Sequence, residues 1–180
     1  MTLLWRENTV DFAGVHFRLE GASIAPKPVQ AELPMWIGGS SDAAIRRTGR
    51  YGTGWLGGLD SLDDIARVVP AIKQSAAAAG RAIEEDHYGA GLAFHFGSAA
   101  EPGVAEARAR FIRFAGRDVP SYFAIGDAET IVARIADLVA AGVSKFVLRP
   151  VLTGEDAVLG QTRRLIEEVL PAVAARWPRR

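Results

Sequence analysis

Four short apolar segments alternate along this chain with stretches of helical periodicity: "MWIGG" (35–39), "GTGWLGG" (52–58), "YGAGLAFHFG" (88–97) and "KFVLRPV" (145–151). No other feature restricts the fold as strongly. Apolar strands separated by amphipathic helices predict parallel βα units with the helices covering the sheet. Right-handed crossovers then bring every strand's C-terminal end to one face, where parallel α/β proteins keep their chemistry. Gly38-Gly39-Ser40, Gly57-Gly58, His95-Phe96-Gly97 and Arg149-Pro150 are all expected there.

The helices announce themselves by caps and stripes. Ser40 or Ser41 can cap a helix running to Arg50, with Asp42 in the first turn, where negative charge is favoured. From Ser61, the residues Leu62, Ile65, Val69, Ile72 and Ala76 recur at spacings of three and four. Ser61 with Asp64 reads as a capping box, Pro70 as a kink and Gly80 as a stop. "VAEARARFIRFAG" is a third helical pattern. Asp127 opens another, with Ile131, Ile135, Leu138 and Val139 on one face, ending at Gly142. The last carries Leu165, Ile166, Val169, Leu170 and Val173, with Pro171 inside it. Residues 1–33, with three prolines in or just after "IAPKPVQAEL", predict an extended lead-in segment, and 34–180 the α/β domain.

Composition excludes several functions. Lys plus Arg and Asp plus Glu each number 21, so no net field favours nucleic acid or an anionic membrane. The closing Trp177-Pro178-Arg179-Arg180 reads as a solvated, frayed tail. There is no cysteine, which removes disulfides and thiolate metal sites, and the three histidines are not spaced as a ligand pair, so no metal is expected. No apolar run approaches the ~20 residues of a membrane span, and the first residues lack a signal-peptide pattern; a cytoplasmic protein is expected.

The candidate chemistry sits at the strand ends. Gly38, Gly39, Ser40 and Ser41 combine a loop poor in Cβ atoms with a helix N-terminus, which suits an anion such as phosphate; a tight structural turn uses the same residues. Gly57-Gly58 has no helix starting immediately after it and reads as structural. His95, flanked by Phe94 and Phe96, suits acid–base work or plain packing. Arg149 can face an anionic ligand or join a surface ion pair. Trp36 and Trp55 read as core. No Ser/His/Asp ordering or paired carboxylate stands out, so the catalytic residues stay unassigned beyond His95 and Arg149.

The stretch "PMWIGGSSDAAIRRTGRYGTGWL" resembles the pattern P-x-W-I-G-G-S-x-x-A-x-x-R-x-x-R-x-G-D-G-W of the luciferase-like monooxygenase superfamily. The segment "LWRENTVDFAGVHFRLEGASIAPKPVQ" is similar to that family's approach to its fifth strand, and "AIGDAETIVARIADLVAAGVSKFVLRP" with "RRLIEEVLPAV" to its eighth βα unit and last helix. The resemblance implies a TIM-barrel oxidoreductase or monooxygenase using coenzyme F-420 (F420) or, alternatively, FMN, and acting on a small molecule. It places Gly38, Gly39 and Ser40 at the turn that binds the cofactor phosphate, with Ser41 beside them, and so favours phosphate over a bare turn. Thr53 stands where the family has Asp. A complete barrel takes about 250 residues, and only the C-terminal half of the pattern is present. Four strands leave open edges, so self-association or a partner chain carrying the N-terminal half is expected. A non-catalytic half-barrel, either an anion-binding or assembly module or a remnant, is the alternative.

Overall fold

The computed structural model describes residues 1–30 and 32–178. The chain divides into two units, Met1–Pro34 and Met35–Arg180; Arg179 and Arg180, half of the basic tail, lie outside the described residues.

The first unit opens with a short helix, α1 (Thr2–Arg6), whose final carbonyls are met by Lys27: its ammonium donates to Leu4 O at 2.9 Å and also to Glu7 O. Two strands follow, β1 (Val10–Ala13) and β2 (Arg18–Ala22), paired antiparallel around a turn in which Gly14 N–H donates to Phe17 O. The weak alternation of "VDFAGVHFRLEG" is thus a hairpin, with a bulge between Val10 and Phe12. Extended backbone leaves its N–H and C=O groups unpaired, and folding back on itself satisfies them.

The second unit contains the four expected strands, all parallel: β3 (Trp36–Gly38), β4 (Gly54–Gly57), β5 (Tyr88–Phe96) and β7 (Lys145–Pro150). A fifth, β6 (Phe123–Gly126), was not expected from the sequence. The long β5 organises the sheet. β4 pairs with its first residues and β6 with its last, on one edge, while β7 runs along the other. The order is therefore β3-β4-β5-β7, with β6 continuing the line of β4.

Helices α2 (Asp42–Tyr51), α3 (Leu62–Ala78), α4 (Pro102–Ala115), α5 (Ala128–Ala140), α6 (Glu155–Arg164) and α7 (Leu170–Arg176) fill the connections. Ser41 caps α2, and Asp127 caps α5 by accepting from Thr130 N–H. The capping box of α3 forms as expected, with Ser61 and Asp64 each accepting from the other's backbone N–H. Pro70 does not end α3, which continues to Ala78. Between α6 and α7 the backbone widens to π geometry over Leu165–Val169, just ahead of Pro171, which has no N–H to give the ladder.

Alternation along β5 separates two sides. Tyr88, Ala90, Leu92, Phe94 and Phe96 enter the main core with Trp55 and the stripes of α3 and α5. Ala93 points the other way, into a smaller cluster with Val104 of α4, Val119, Tyr122, Phe123 and Val151. So α4 does not join the layer that covers the main core. Its side of the sheet is otherwise thinly covered: Leu56 and Val147 are 37% and 44% exposed. Trp36 departs from the core expectation for the same reason. It is half-buried, with its ring laid over Gly54 and Gly89. Trp55, by contrast, is fully buried.

Candidate functional site

Because the strands are parallel, Gly38, Gly57, Phe96 and Pro150 end them at one edge of the sheet. The β3–α2 turn there is held by donors from elsewhere in the unit. Trp55 Nε1 donates to Gly39 O at 2.9 Å, and Arg67 Nη2 of α3 donates to Ser40 O at 3.1 Å. A peptide is planar and trans, so a carbonyl fixed in one direction turns the following N–H in the opposite one. The Ser40 and Ser41 amides are thereby directed away from Trp55 and Arg67.

No acceptor among the described residues meets the amides of Ser40, Ser41, Asp42 or Ala43. The next amide, Ala44, donates to Ser41 Oγ at 3.3 Å. Gly39 holds φ +96°, a conformation that side chains rarely adopt, and an added Cβ would stand 3.2 Å from the Ala44 methyl. Unpaired amides, two hydroxyls and the N-terminus of a ten-residue helix form a donor set suited to an anion. One carboxylate, Asp42, shares that first turn.

The remaining strand ends are arranged differently. At Gly57-Gly58 the turn closes on itself, Gly58 N–H donating to Asp60 Oδ2 at 3.0 Å. Thr53 lies at the opposite end of the sheet, where its hydroxyl accepts from Met35 N–H at 2.6 Å and ties the starts of β3 and β4 together. A side-chain bond to the backbone therefore exists at the position where the family pattern has Asp.

His95 is 2% exposed, on the Ala93 side of β5. Its Nε2 lies 3.1 Å from Glu101 Oε2, and its buried Nδ1 has no partner among the described residues. Ser98 N–H donates to the other Glu101 oxygen at 2.7 Å; that bond first, and His95 second, hold the Glu101 carboxyl below its ordinary range. An ionised carboxylate only accepts, so Nε2 carries the proton. Gly97 permits this approach: at φ +153°, an added Cβ would fall 2.3 Å from Glu101 Oε1 and 2.6 Å from His95 Nε2.

Arg149 pairs in register with Ala93, which puts it on the same side as His95 and one step away. Its Nη2 donates to the Tyr122 hydroxyl, and it lines a pocket of about 430 Å³. Residues of that pocket include Arg110, Phe111 and Phe114 of α4. His95 is not among them. The structure thus brings Arg149 and His95 to the same side at the ends of two paired strands, while the Gly38–Ser41 turn lies one intervening strand from His95 and two from Arg149, about 10 Å and about 14 Å at ordinary strand spacing. Trp55 and Arg67 as tethers, Glu101 and Tyr122 as side-chain partners, and Arg110 in the pocket wall were not visible in the sequence. Their partners are remote, or the contact depends on how α4 packs. Among the described residues, no group of three or more His, Asp or Glu could hold a metal ion, and no helix is long and apolar enough to cross a membrane.

A parallel sheet with helices in its connections and its strand-end turns at one edge has the layout of a partial (β/α) barrel, and comparison with known proteins makes the assignment specific. The family model for luciferase-like monooxygenases matches residues 1–120, and the chain belongs to that family. F420-dependent glucose-6-phosphate dehydrogenase of Mycobacterium tuberculosis H37Rv is 33% identical over 86 residues, which are 47% of this chain and 25% of that protein. The Nocardia farcinica enzyme of the same name is 33% identical over 88 residues, again 47% of this chain and 25% of the relative. Among solved structures, an F420-dependent secondary alcohol dehydrogenase in complex with an F420-acetone adduct superposes with a TM-score of 0.74 at 22% identity, covering 95% of this chain and 58% of that one. The monooxygenase RslO1 from Streptomyces bottropensis gives 0.76 at 18% identity, covering 96% and 58%. The chain therefore spans a little over half of these solved structures and matches a quarter of each curated relative. Its parallel sheet is a partial barrel of their type.

Proposed function

We propose that this chain is the cofactor-phosphate half of a luciferase-like oxidoreductase that uses F420, with FMN as the alternative. The observation that carries the reading is the tethered turn. Trp55 and Arg67 hold the Gly39 and Ser40 carbonyls, and a run of unpaired amides is left at the start of α2. Gly38, Gly39, Ser40 and Ser41 would receive the phosphate. The names of the curated relatives favour F420. When bound, such a group supplies hydride transfer or oxygen activation. The chain's own part is to anchor the phosphate at β3 and to present Arg149, with the His95–Glu101 pair one step behind it, at the end of β5 and β7. The thinly covered side of the sheet supports a further reading. In the working enzyme, strands from a second copy or from an N-terminal-half partner chain cover it.

Fluorescence titration with F420 and with FMN tests the site. Saturable binding of one of them, weakened at least tenfold by Gly39→Val, is expected; no binding of either in any assembly state overturns the reading in favour of a non-catalytic half-barrel. Light scattering after size exclusion tests the covering of the sheet. A dimer or larger species, or one formed on adding an N-terminal half, is expected. A stable monomer that ignores such a half at micromolar concentration argues against it.

A further inference from the structure

The pocket beside Arg149 has a chemistry of its own. Its floor is Ala93 and Pro150, its walls are aromatic, and Phe114 at its rim is 83% exposed. Phe111 stacks on Tyr122 with ring centres 4.6 Å apart and planes 18° from parallel, giving a flat apolar wall. Into this setting project two guanidinium groups and no carboxylate.

Neither guanidinium is neutralised. Arg149 donates to the neutral Tyr122 hydroxyl. Arg110 has no hydrogen bond or ion pair among the described residues, whereas Arg108, on the same helix, pairs with Asp118 at 3.0 Å. Glu106, one turn before Arg110, lines the adjoining depression of about 370 Å³ and makes no ion pair with it. Two unpaired cations sharing an apolar pocket repel each other, and an anion between them relieves that repulsion with charge-assisted, geometrically matched hydrogen bonds. Low-polarity walls strengthen the attraction.

We infer that this pocket binds an organic anion: a carboxylate carried on a flat apolar body, its oxygens between Arg110 and Arg149 and its body against the Phe111–Tyr122 wall. Identifying that ligand as the substrate rests on the oxidoreductase reading; the binding site does not depend on it.

Isothermal titration of the full chain with 2-naphthoate and its neutral counterpart 2-naphthamide provides the test. The acid binds saturably, the amide about tenfold or more weaker, and Arg110→Gln removes most of that preference. Arg110 is exposed and bonded to nothing among the described residues, so this variant keeps its fold, which circular dichroism verifies. Arg149→Lys, which retains charge but loses the fork, produces a smaller loss. Equal binding of acid and amide, no binding of either, or an acid preference untouched by Arg110→Gln overturns the inference. Gly39→Val separates this site from the cofactor turn: it weakens F420 or FMN binding at least tenfold and leaves naphthoate binding intact, so either reading can fail without the other.

Discussion

The two sides of the central strand β5 are built to opposite rules. One side carries Tyr88, Leu92, Phe94 and Phe96, large and buried under the helices. The other carries Gly89, Gly91, Ala93 and His95, so it is flat until its C-terminal end, where one titratable group appears. Neighbouring strands follow suit, with Trp55 on the packed side and Leu56, Val147 and Arg149 on the flat one. Burial on the first side holds the sheet together. On the second, small residues leave room at the strand ends, and the polar groups there are positioned rather than packed.

Replacement of one large residue on each side gives the sharpest contrast. Phe94→Ala should cost about 3–5 kcal/mol in urea unfolding, because the cavity sits in a core that cannot collapse around it. Val147→Thr on the flat side should stay within about 0.5 kcal/mol at dilutions where the chain is a monomer. Comparable losses there would mean that the flat side is packed within the chain itself. Gly97→Ala is next in size. Added strain of about 1–3 kcal/mol is expected at its positive φ, and nitrogen chemical shifts of His95 should report loss of the Nε2–Glu101 bond. Unchanged shifts would remove Gly97 from that role.

A smaller effect is expected at the cap of α3 on the packed side. The Ser61 N–H first, and Arg117 at 2.8 Å second, lower the Asp64 pKa to about 2. A carboxyl depressed in the folded state stabilises above its unfolded pKa and ceases to as pH falls through the folded one. Wild type should therefore lose stability relative to Asp64→Asn between about pH 4 and pH 2, and parallel acid profiles would refute the assignment. The smallest change is expected at the Gly38–Ser41 turn, the proposed anion site. Asp42 opposes an incoming anion at the start of α2, so Asp42→Asn should tighten cofactor binding by about two- to fivefold in the same titration. Weaker binding would show that the phosphate does not sit on this helix.

Much of this was legible in the chain before any coordinates. The four strands, the Ser41 and Asp127 caps and the Ser61–Asp64 box depend on residues within a few positions of one another, and local chemistry fixes local structure. The hairpin of β1 and β2 was half visible, since alternation signals extended chain but not its partner. The short β6 and the placement of α4 were not. Four residues ending in glycine become a strand only because the last part of β5 has a free edge beside them.

The candidate site divides in the same way. Gly38, Gly39, Ser40 and Ser41 stood out by the glycine pair and the cap that follows it, and the family resemblance pointed to the same turn. The tethers that aim its amides come from Trp55 and Arg67, 16 and 27 residues away. The sequence by itself determined the alternation of strand and helix, hence a parallel sheet with its chemistry at one edge, because side-chain size and capping act over a single turn or pleat. Only the tertiary structure decided which donors hold the turn, that His95 meets Glu101, and that Arg110 and Arg149 share an aromatic pocket. Those contacts depend on how separate elements come to rest against one another, and nothing in residue spacing encodes that.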